Sequence, residues 1–557
     1  MILDNGKAAA FDYVIVGAGS AGSVLAARLT EDRDCQVLLL EAGPADRSFL
    51  FDMPWGYSLL LSSDRYKWDY SSEPEPYLDG RRLIQPRGRV LGGSSSINGM
   101  MYVRGHARDY DSWAQSGSRG WSYADMLPYF RRAQGHADGQ DDYRGGDGPL
   151  GVCSPRLGPL AKAFIQAGIE AGYRYTHDSN GYQQEGVGPI DRTTRNGRRC
   201  STARAYLDPA KSRPNLHIVT EAFVQEVLLQ GKRATGVAYV RKGKRFEAGA
   251  GREVILSGGA INSPQLLQLS GIGPVDFLRK LGITPRHDLP GVGANLSDHP
   301  DIAIQHRCKQ PISLAPDVQA PRKYLAGMRW FLFHDGPAAS NHYEVGGFIR
   351  SNAGVEHPDL QLSFLPLAVA PGTVVPMRGH AYQAHVDLLR PKSSGSVMLR
   401  SADPRQHPAI LFNYMADPQD RADMRDGFRL LREIMAQKAL TPFDGGELFP
   451  GPSVRTDSEI DAWIRRALKT CFHPTGTCKM GPDTDAKAVV DDTLSVHGLE
   501  GLRVVDASIM PTIVSGNTNA ATIAIAEKAS DMIRQRAPLP RSDAPVWIHP
   551  NWEEAQR

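Results

Sequence analysis

The sequence predicts an α/β fold of two interlocked domains, one built on a parallel sheet and one combining helices with an antiparallel sheet. Three observations lead to this prediction. The chain has 557 residues, whereas a single hydrophobic core stops growing at roughly 250 to 300 residues. A strand, a glycine-rich turn and a helix follow one another near the start of the chain, which is the beginning of a parallel βαβ unit. A stretch at residues 340–350 alternates apolar and polar residues, as a sheet strand does.

The composition is that of a globular protein with many turns. Hydrophobic residues make up 41% and charged residues 22%, with 56 Gly and 39 Pro. The formal net charge of +3 is too small to attract nucleic acid, so we expect no nucleic-acid partner. A small neutral or weakly charged substrate is compatible with this balance.

The cysteines and the start of the chain bear on the compartment. The six Cys form no Cys-x-x-Cys pair, which argues against a disulfide scaffold and a structural zinc site, and we expect no metal. Residues 1–10 lack the apolar region of a secretory signal. No run approaches the roughly 18 apolar residues of a membrane span. We expect a cytoplasmic protein with at most peripheral contact at the inner face of the membrane.

The glycine-rich turn has the features of a dinucleotide site. The apolar run 11–16 leads directly into this turn, and an Ala- and Leu-rich helix ending near Leu29 follows. In such a Rossmann unit the first glycine makes the turn, the second lets backbone N–H groups approach a pyrophosphate, and the third allows close helix packing. The predicted cofactor-binding residues of this turn are Gly17, Ala18, Gly19, Ser20, Ala21 and Gly22.

A carboxylate stands where this kind of unit places its ribose ligand. The second apolar run, 37–40, ends on Glu41, nineteen residues after Gly22. Glu41 is predicted to accept hydrogen bonds from the adenosine ribose, with Ala42 beside it. An acid here disfavours a 2′-phosphate and therefore NADP. The motif alone does not separate NAD from FAD.

Four further segments carry a family resemblance. They read GRVLGGSSSIN at 88–98, GAINSPQLL at 259–267, FHPTGTCKMG at 472–481 and GLRVVDAS at 501–508. Together they resemble the glucose-methanol-choline oxidoreductase family from about residue 13 to residue 533. The resemblance implies FAD as cofactor. Family members with covalent FAD carry a histidine where this chain has Ile97, so we expect non-covalent FAD.

The resemblance also implies where the flavin binds. Small residues at 92–96 leave room for a flat isoalloxazine ring, and hydroxyl and amide groups can bond to its polar edge. Val224 matches the strand that the family places against adenine. The cofactor-binding residues expected beyond the glycine turn, Glu41 and Ala42 are Val90, Gly92, Ser94, Asn98, Val103, Val224, Asp506, Ala507, Thr518 and Asn519.

The predicted catalytic residues are His473 and Asn517. Alcohol oxidation needs a base for the hydroxyl proton, and histidine has an unperturbed pKa near working pH. His473 matches the family's catalytic histidine, and Asn517 matches its polar partner. We expect the following helix at residues 520–533, with Asn519 as its N-cap. A Ser-His-Asp hydrolase is disfavoured because no Gly-x-Ser-x-Gly elbow has suitable context.

The segment around residue 344 bears on the substrate. In the choline-oxidising branch of the family, the carboxylate that matches Glu344 faces a quaternary ammonium, and Tyr343 could add a cation–π contact. Segments at 180–186 and 197–204 also resemble that branch. Departures occur at His342 and in the loop 370–379, where the substrate would be selected.

The resemblance therefore implies oxidation of a primary alcohol to an aldehyde, with choline as the leading substrate and a quinone or another electron acceptor. Two alternatives remain: a dehydrogenase or oxidase for another aliphatic or aromatic alcohol, and a non-redox FAD-binding lyase. Residues 11–45, 203–305 and 485–535, with the flavin loop 85–105, are expected to form the discontinuous Rossmann-like FAD domain. The α+β substrate domain is expected at 46–202 and 306–484, followed by a tail at 536–557. The oligomeric state is left open.

Overall fold

The computed structural model describes residues 10–370 and 375–557. Residues 1–9 and the centre of the loop 370–379 lie outside this range. The described chain forms the following helices: α1 (Ser20–Leu29), α2 (Tyr57–Leu61), α3 (Ala107–Gln115), α4 (Tyr123–Ala133), α5 (Pro159–Glu170), α6 (Asp208–Ala210), α7 (Gly259–Leu269), α8 (Val275–Lys280), α9 (Arg322–Phe333), α10 (Pro418–Met435), α11 (Asp457–Ala467) and α12 (Thr518–Ile533).

The strands are between two and thirteen residues long. They are β1 (Ala10–Val16), β2 (Val37–Leu40), β3 (Lys67–Ser71), β4 (Ile84–Gly88), β5 (Gln134–His136), β6 (Leu150–Val152), β7 (Gly186–Pro189), β8 (Thr194–Arg195), β9 (Arg198–Arg199), β10 (Leu216–Val219), β11 (Ala222–Gln230), β12 (Arg233–Arg241), β13 (Lys244–Leu256), β14 (Ile272–Gly273), β15 (His287–Asp288), β16 (Pro300–Cys308), β17 (Val345–Ile349), β18 (Leu360–Leu365), β19 (Ala381–Leu388), β20 (Ser396–Met398), β21 (Ala409–Leu411), β22 (Asp444–Phe449), β23 (Lys469–Thr470) and β24 (Leu502–Val504).

The first large sheet has the order β10-β2-β1-β13-β12-β11, and β24 also pairs with β13. The pairs β10–β2, β2–β1, β1–β13 and β13–β24 are parallel, whereas β11 and β12 form an antiparallel extension. All four residues of β2 are buried, because strands of a parallel sheet are covered on both faces. This confirms the predicted α/β class.

The helix after β1 lies close to its strand because it begins with small residues. A Cβ placed on Gly22 would lie 1.9 Å from the carbonyl oxygen of Gly17. Helix α12 packs against α1 on one side and α4 on another, and nearly all of its residues are buried. The N-termini of α1 and α12 consequently come together at one edge of the parallel sheet.

The second large sheet is antiparallel throughout, with the order β22-β16-β19-β18-β17-β7 and β23 paired with β16. Helices α5 and α10 pack on it. Its central residues face either a hydrophobic core or the cavity described below.

The domain boundaries stay a prediction, and two elements bear on them. Strand β16 spans the expected boundary at residue 305 and belongs to the antiparallel sheet. Helices α3 and α4, expected in the substrate domain, bury Trp113 and Phe130 in the same core as the parallel sheet. Within the described part of the chain, no helix has both the length and the apolar character needed to cross a membrane.

Candidate active site

One cavity of about 1490 Å³ extends from the parallel sheet to the polar face of the antiparallel sheet. One end is lined by the glycine turn and the end of β2. The other end is lined by the loop that carries His473 and by residues of β16, β18 and β19. A cofactor and a substrate can therefore occupy the same cavity.

The glycine turn leaves room for a ligand at Gly19. A Cβ on Gly19 would meet nothing closer than the carbonyl oxygen of Ser257, at 4.0 Å. The second glycine-rich loop touches the first, since a Cβ on Gly93 would lie 2.7 Å from the Cα of Gly19. The two loops thus form a narrow cradle, with the N-terminus of α1 opening into it.

Glu41 fastens the end of β2 to this cradle. Its carboxylate accepts hydrogen bonds from the backbone N–H of Ala18 at 2.9 Å and of Gly43 at 2.8 Å. Burial raises the pKa of Glu41 to about 7, although the two N–H donors and Arg89 act in the opposite direction. Glu41 also lines the cavity, together with Ala42 and Val224.

The flavin loop begins with a left-handed turn at Gly92, which has φ of +84°. A short 3₁₀ helix, Gly93–Ser96, follows. Ser94 Oγ accepts the N–H of Gly88, and Asn98 Oδ1 accepts hydrogen bonds from Met100 N–H and Arg199. These contacts hold Ser94 and Asn98 at the cavity wall.

Most of the predicted cofactor residues line the cavity: Gly17, Gly19, Ser20, Ala21, Glu41, Ala42, Ser94, Asn98, Val224, Asp506, Ala507, Thr518 and Asn519. Ala18, Gly22, Val90, Gly92 and Val103 do not line it. Gly22 and Gly92 shape the turns, whereas Val90 and Val103 are buried in small apolar clusters. For these two valines the placement differs from the expected cofactor contact.

The loop carrying His473 is fixed by Asp298. This buried carboxylate accepts hydrogen bonds from the backbone N–H of His473 at 2.6 Å and from the hydroxyls of Tyr414 and Thr470. Phe472, next to His473, has φ of +63°, which is uncommon for a residue with a side chain. Arg87 donates to the carbonyl of Phe472 at 2.6 Å and helps to hold this conformation.

A hydrogen-bond chain determines which nitrogen of His473 carries the proton. His299 Nε2 donates to the carbonyl of Leu389 at 3.0 Å. Burial lowers the pKa of His299 to about 3, so its ring is neutral and its Nδ1 accepts a hydrogen bond. His473 Nδ1–H, 3.0 Å away, is the donor. Burial, His299 and Arg87 hold the pKa of His473 well below its usual range, so Nε2 is a free base.

Asn517 meets this base directly. Its Nδ2 lies 3.0 Å from His473 Nε2, and its Oδ1 accepts a hydrogen bond from Gln361 at 3.4 Å. Asn517 occupies the N-cap position of α12, which begins at Thr518, so the expected start at residue 520 and the expected cap at Asn519 are wrong. Asn519 lies within the first turn, where its Oδ1 accepts a hydrogen bond from Ser20 Oγ at 2.7 Å. This bond joins the N-termini of α1 and α12.

Of the two predicted substrate residues, only Tyr343 lines the cavity. Glu344 is absent from the lining, and its carboxylate accepts a hydrogen bond from the N–H of Gly158. The physical reason is the alternation of an extended chain, which directs neighbouring side chains to opposite sides. Its placement therefore does not support Glu344 as a ligand of the substrate.

The carboxylates that do face the substrate end come from the antiparallel sheet. Asp301 of β16 is directly opposite Asp387 of β19, which is directly opposite Gln361 of β18. All three line the cavity. His385 Nδ1 lies 2.9 Å from Asp301. Burial and the nearby Asp301 raise the pKa of Asp387 well above its usual range.

The sequence reasoning missed several site residues, namely Arg87, Asp298, His299, Asp301, Gln361 and Asp387. A signal existed for two of them, since Asp298 and His299 directly precede a strand. The row formed by Asp301, Asp387 and Gln361 depends on the pairing of three strands that are distant in the chain. Periodicity places each residue on a face of its own strand, but it does not reveal the register.

The family of the chain follows from the comparisons with known proteins. Residues 11–301 and 391–526 match the two family domains described as GMC oxidoreductase. The chain belongs to the GMC oxidoreductase family. It binds FAD, which fits the cradle at Gly19 and the paired helix N-termini, and it is an FAD-dependent alcohol dehydrogenase.

Curated relatives and solved structures agree with this family. The chain is 52% identical to an oxygen-dependent choline dehydrogenase from Stenotrophomonas maltophilia K279a, covering 96% of this chain and 97% of the relative. It is 53% identical to one from Pseudomonas putida F1, covering 97% and 96%. The structure of pyridoxine 4-oxidase from Mesorbium loti matches with a TM-score of 0.87 and 33% identity, covering 95% of this chain and all of the other. A formate oxidase variant from Aspergillus oryzae RIB40 matches with a TM-score of 0.87 and 29% identity, covering 95% and 98%.

Proposed function

We propose that the protein oxidises choline to its aldehyde. Two features support this substrate. The curated relatives named above are choline dehydrogenases. The cavity that contains His473 Nε2 also presents the buried carboxylates of Asp301 and Asp387. A trimethylammonium group next to this pair would be stabilised by its negative charge, which is largest when Asp387 is deprotonated.

We propose that His473 and Asn517 carry out the proton chemistry. The substrate hydroxyl would replace the direct contact between His473 Nε2 and Asn517 Nδ2 and form a hydrogen bond to each of them. His473 Nε2 accepts the hydroxyl proton, and Asn517 donates a hydrogen bond to the oxygen that loses it. His473 Nδ1–H remains bonded to His299, which keeps Nε2 directed at the substrate. Bound FAD supplies the acceptor for the hydride that leaves the carbon.

The remaining cofactor contacts are proposals of the same kind. The N–H groups at the start of α1 would hold the pyrophosphate, and Glu41 would bind the ribose. The N-terminus of α12, with its positive dipole end, would face the pyrimidine edge of the flavin. Val224 would lie against the adenine. We propose the Rossmann-like FAD domain and the substrate domain with the boundaries expected from the sequence, except that all of β16 belongs to the substrate domain.

A pair of substrates tests the proposal. Choline and 3,3-dimethylbutan-1-ol have the same shape, but only choline carries a charge. We expect choline to bleach the oxidised flavin band in an anaerobic stopped-flow experiment at a much lower concentration than the uncharged alcohol does. If both alcohols bleach the flavin band at the same concentration, the result favours an alcohol dehydrogenase or oxidase for uncharged substrates. Product formation with an unchanged flavin band would indicate a lyase, which the named relatives do not favour.

We propose that the FAD is held without a covalent bond, since Ile97 offers no atom that could attach it. Ile97 is buried and lines the cavity. Acid precipitation should release yellow flavin into the supernatant. Colour that stays with the pellet would contradict this proposal.

We propose a quinone as the electron acceptor and a cytoplasmic location with peripheral membrane contact. The relatives are named as oxygen-dependent, so the two acceptors must be compared directly. All six cysteines are free, which is consistent with a reducing compartment. Turnover with a soluble quinone under nitrogen should exceed turnover with oxygen alone. A faster reaction with oxygen would contradict the proposed acceptor.

A further inference from the structure

The solvent side of α9 is apolar. Tyr324, Leu325, Met328, Phe331 and Leu332 are between 54% and 72% exposed. Their spacing is that of one face of a helix. Surface helices normally direct such a face towards the core, and contiguous exposed apolar patches mark interaction sites. We name these five residues, together with Phe333 at the end of the helix, the α9 patch.

The exposure of the α9 patch is not caused by a loosely attached helix. On the opposite side, Ala326 and Trp330 are buried against Met53, Ala338 and Ala339. The indole N–H of Trp330 also donates to the carbonyl of Gly197 at 2.8 Å. The helix is therefore seated on the protein, and its outward apolar face is a second, separate surface.

The α9 patch stands at the entrance of the active-site cavity. Tyr324, Met328 and Phe331 line this cavity, and the ring of Phe331 lies 4.9 Å from that of Phe49. Leu59 and Val375 also line it and are each 60% exposed. Apolar side chains consequently make up the side of the entrance that α9 forms.

The charges on α9 indicate what covers this surface. The helix contains Arg322, Lys323 and Arg329 and no acidic residue. Arg329 pairs with Asp335, whereas Arg322 and Lys323 form no ion pair with any residue that the structure describes. Exposed aromatic and aliphatic side chains beside unpaired basic groups fit an anionic lipid surface. A second copy of α9 would offer these basic groups no acidic residue of its own to pair with.

We propose that α9 lies in the interface of an anionic lipid bilayer and places the entrance of the active-site cavity on the membrane. Its apolar face would be inserted among the acyl chains near the headgroups, while Arg322 and Lys323 would contact lipid phosphates. An apolar electron acceptor dissolved in the bilayer would then reach the flavin without crossing water. The docking itself does not depend on which alcohol is oxidised.

Vesicle binding tests this proposal. The holoenzyme should co-sediment with vesicles of phosphatidylglycerol and phosphatidylcholine, and more weakly with phosphatidylcholine alone. Leu325→Ser combined with Leu332→Ser should weaken binding on the order of tenfold or more. Neither leucine lines the cavity, so anaerobic flavin reduction by the substrate should be unchanged. A matched control is Ile169→Ser with Tyr175→Ser, which removes exposed apolar groups elsewhere and should bind like wild type.

Two further measurements decide between the possible occupants. Arg322→Gln with Lys323→Gln should lower the affinity for the anionic vesicles and leave binding to pure phosphatidylcholine nearly unchanged. Sedimentation velocity without lipid should give the same oligomeric state for wild type and the double-leucine variant. The proposal is overturned if the leucine variant binds vesicles like wild type. It is also overturned if wild type ignores vesicles and the leucine variant dissociates an oligomer, because a second copy would then cover the α9 patch.

Discussion

The two ends of the active-site cavity are built in different ways. The cofactor end consists mainly of backbone: glycine turns, the N-termini of α1 and α12, and the carboxylate of Glu41 tied to two N–H groups. The substrate end consists of side chains from three strands, Asp301, Asp387 and Gln361, together with the His473 loop. A backbone site is encoded by a short stretch of sequence, whereas a side-chain site depends on how distant strands pair.

The largest expected effect is at the cofactor end. Gly19→Val should yield folded protein with less than about a tenth of the normal flavin, because the side chain would occupy the position of the pyrophosphate. The surrounding chain has room for it, since the nearest atom to a Cβ is 4.0 Å away. The flavin-to-protein absorbance ratio measures the loss, and circular dichroism checks the fold.

Gly22→Ala is the matched control for this substitution. Its Cβ would lie 1.9 Å from the carbonyl oxygen of Gly17, so it should impair folding rather than cofactor binding alone. Full flavin content in Gly19→Val would show that the cradle is placed wrongly.

The next effect concerns the proton chemistry. His473→Ala should slow flavin reduction by roughly 10² to 10⁴, the typical result of losing a general base, with substrate binding less affected. Asn517→Ala should slow it less, because the base remains. In the double variant the two losses of rate should not be additive, since both residues act on one substrate oxygen. If stopped-flow measurements show that FAD-loaded His473→Ala is reduced at the wild-type rate, His473 is a structural residue and not the base.

The fold class and much of the cofactor end could be predicted from the sequence because their signals are local. Residues 11–29 contain the strand, turn and helix, and Glu41 ends the next strand. The cap of α12 was misplaced because both Asn517 and Asn519 suit an N-cap, and only the structure shows that Asn517 takes the N-cap position and also contacts His473. The placement of Glu344 outside the cavity lining could not be predicted, because nothing local tells which side of an extended chain faces the cavity. The Asp301–Asp387 pair required the register of β16 and β19.

His299 acts through His473, and its substitution should have an intermediate effect. His299→Leu removes the acceptor for His473 Nδ1–H, so His473 can hold its proton on Nε2 and lose its function as a base. We expect flavin reduction to slow by roughly ten- to a hundredfold, the scale of a misplaced catalytic group, with flavin content unchanged. His299→Asn retains an acceptor near the position of Nδ1 and should recover most of the rate. A merely structural role would predict that both variants lose flavin or stability alike.

The smallest expected effect lies at the substrate end and depends on charge. Asp387→Asn preserves shape and removes a carboxylate, so the KM for choline should rise by about tenfold, while the KM for 3,3-dimethylbutan-1-ol should change little. Asp444→Asn on the same sheet is the control, since Asp444 does not line the cavity.

Burial and Asp301 raise the pKa of Asp387, so this carboxyl keeps its proton at low pH and loses it as the pH rises. A cation binds the deprotonated form, whereas the positive charge of Lys469, which is opposite Asp301 on β23, weakens cation binding there. The KM for choline should therefore fall with increasing pH in wild type and be flatter in Asp387→Asn. An equal rise in KM for both alcohols in Asp387→Asn would show that this carboxylate shapes the pocket without recognising the charge.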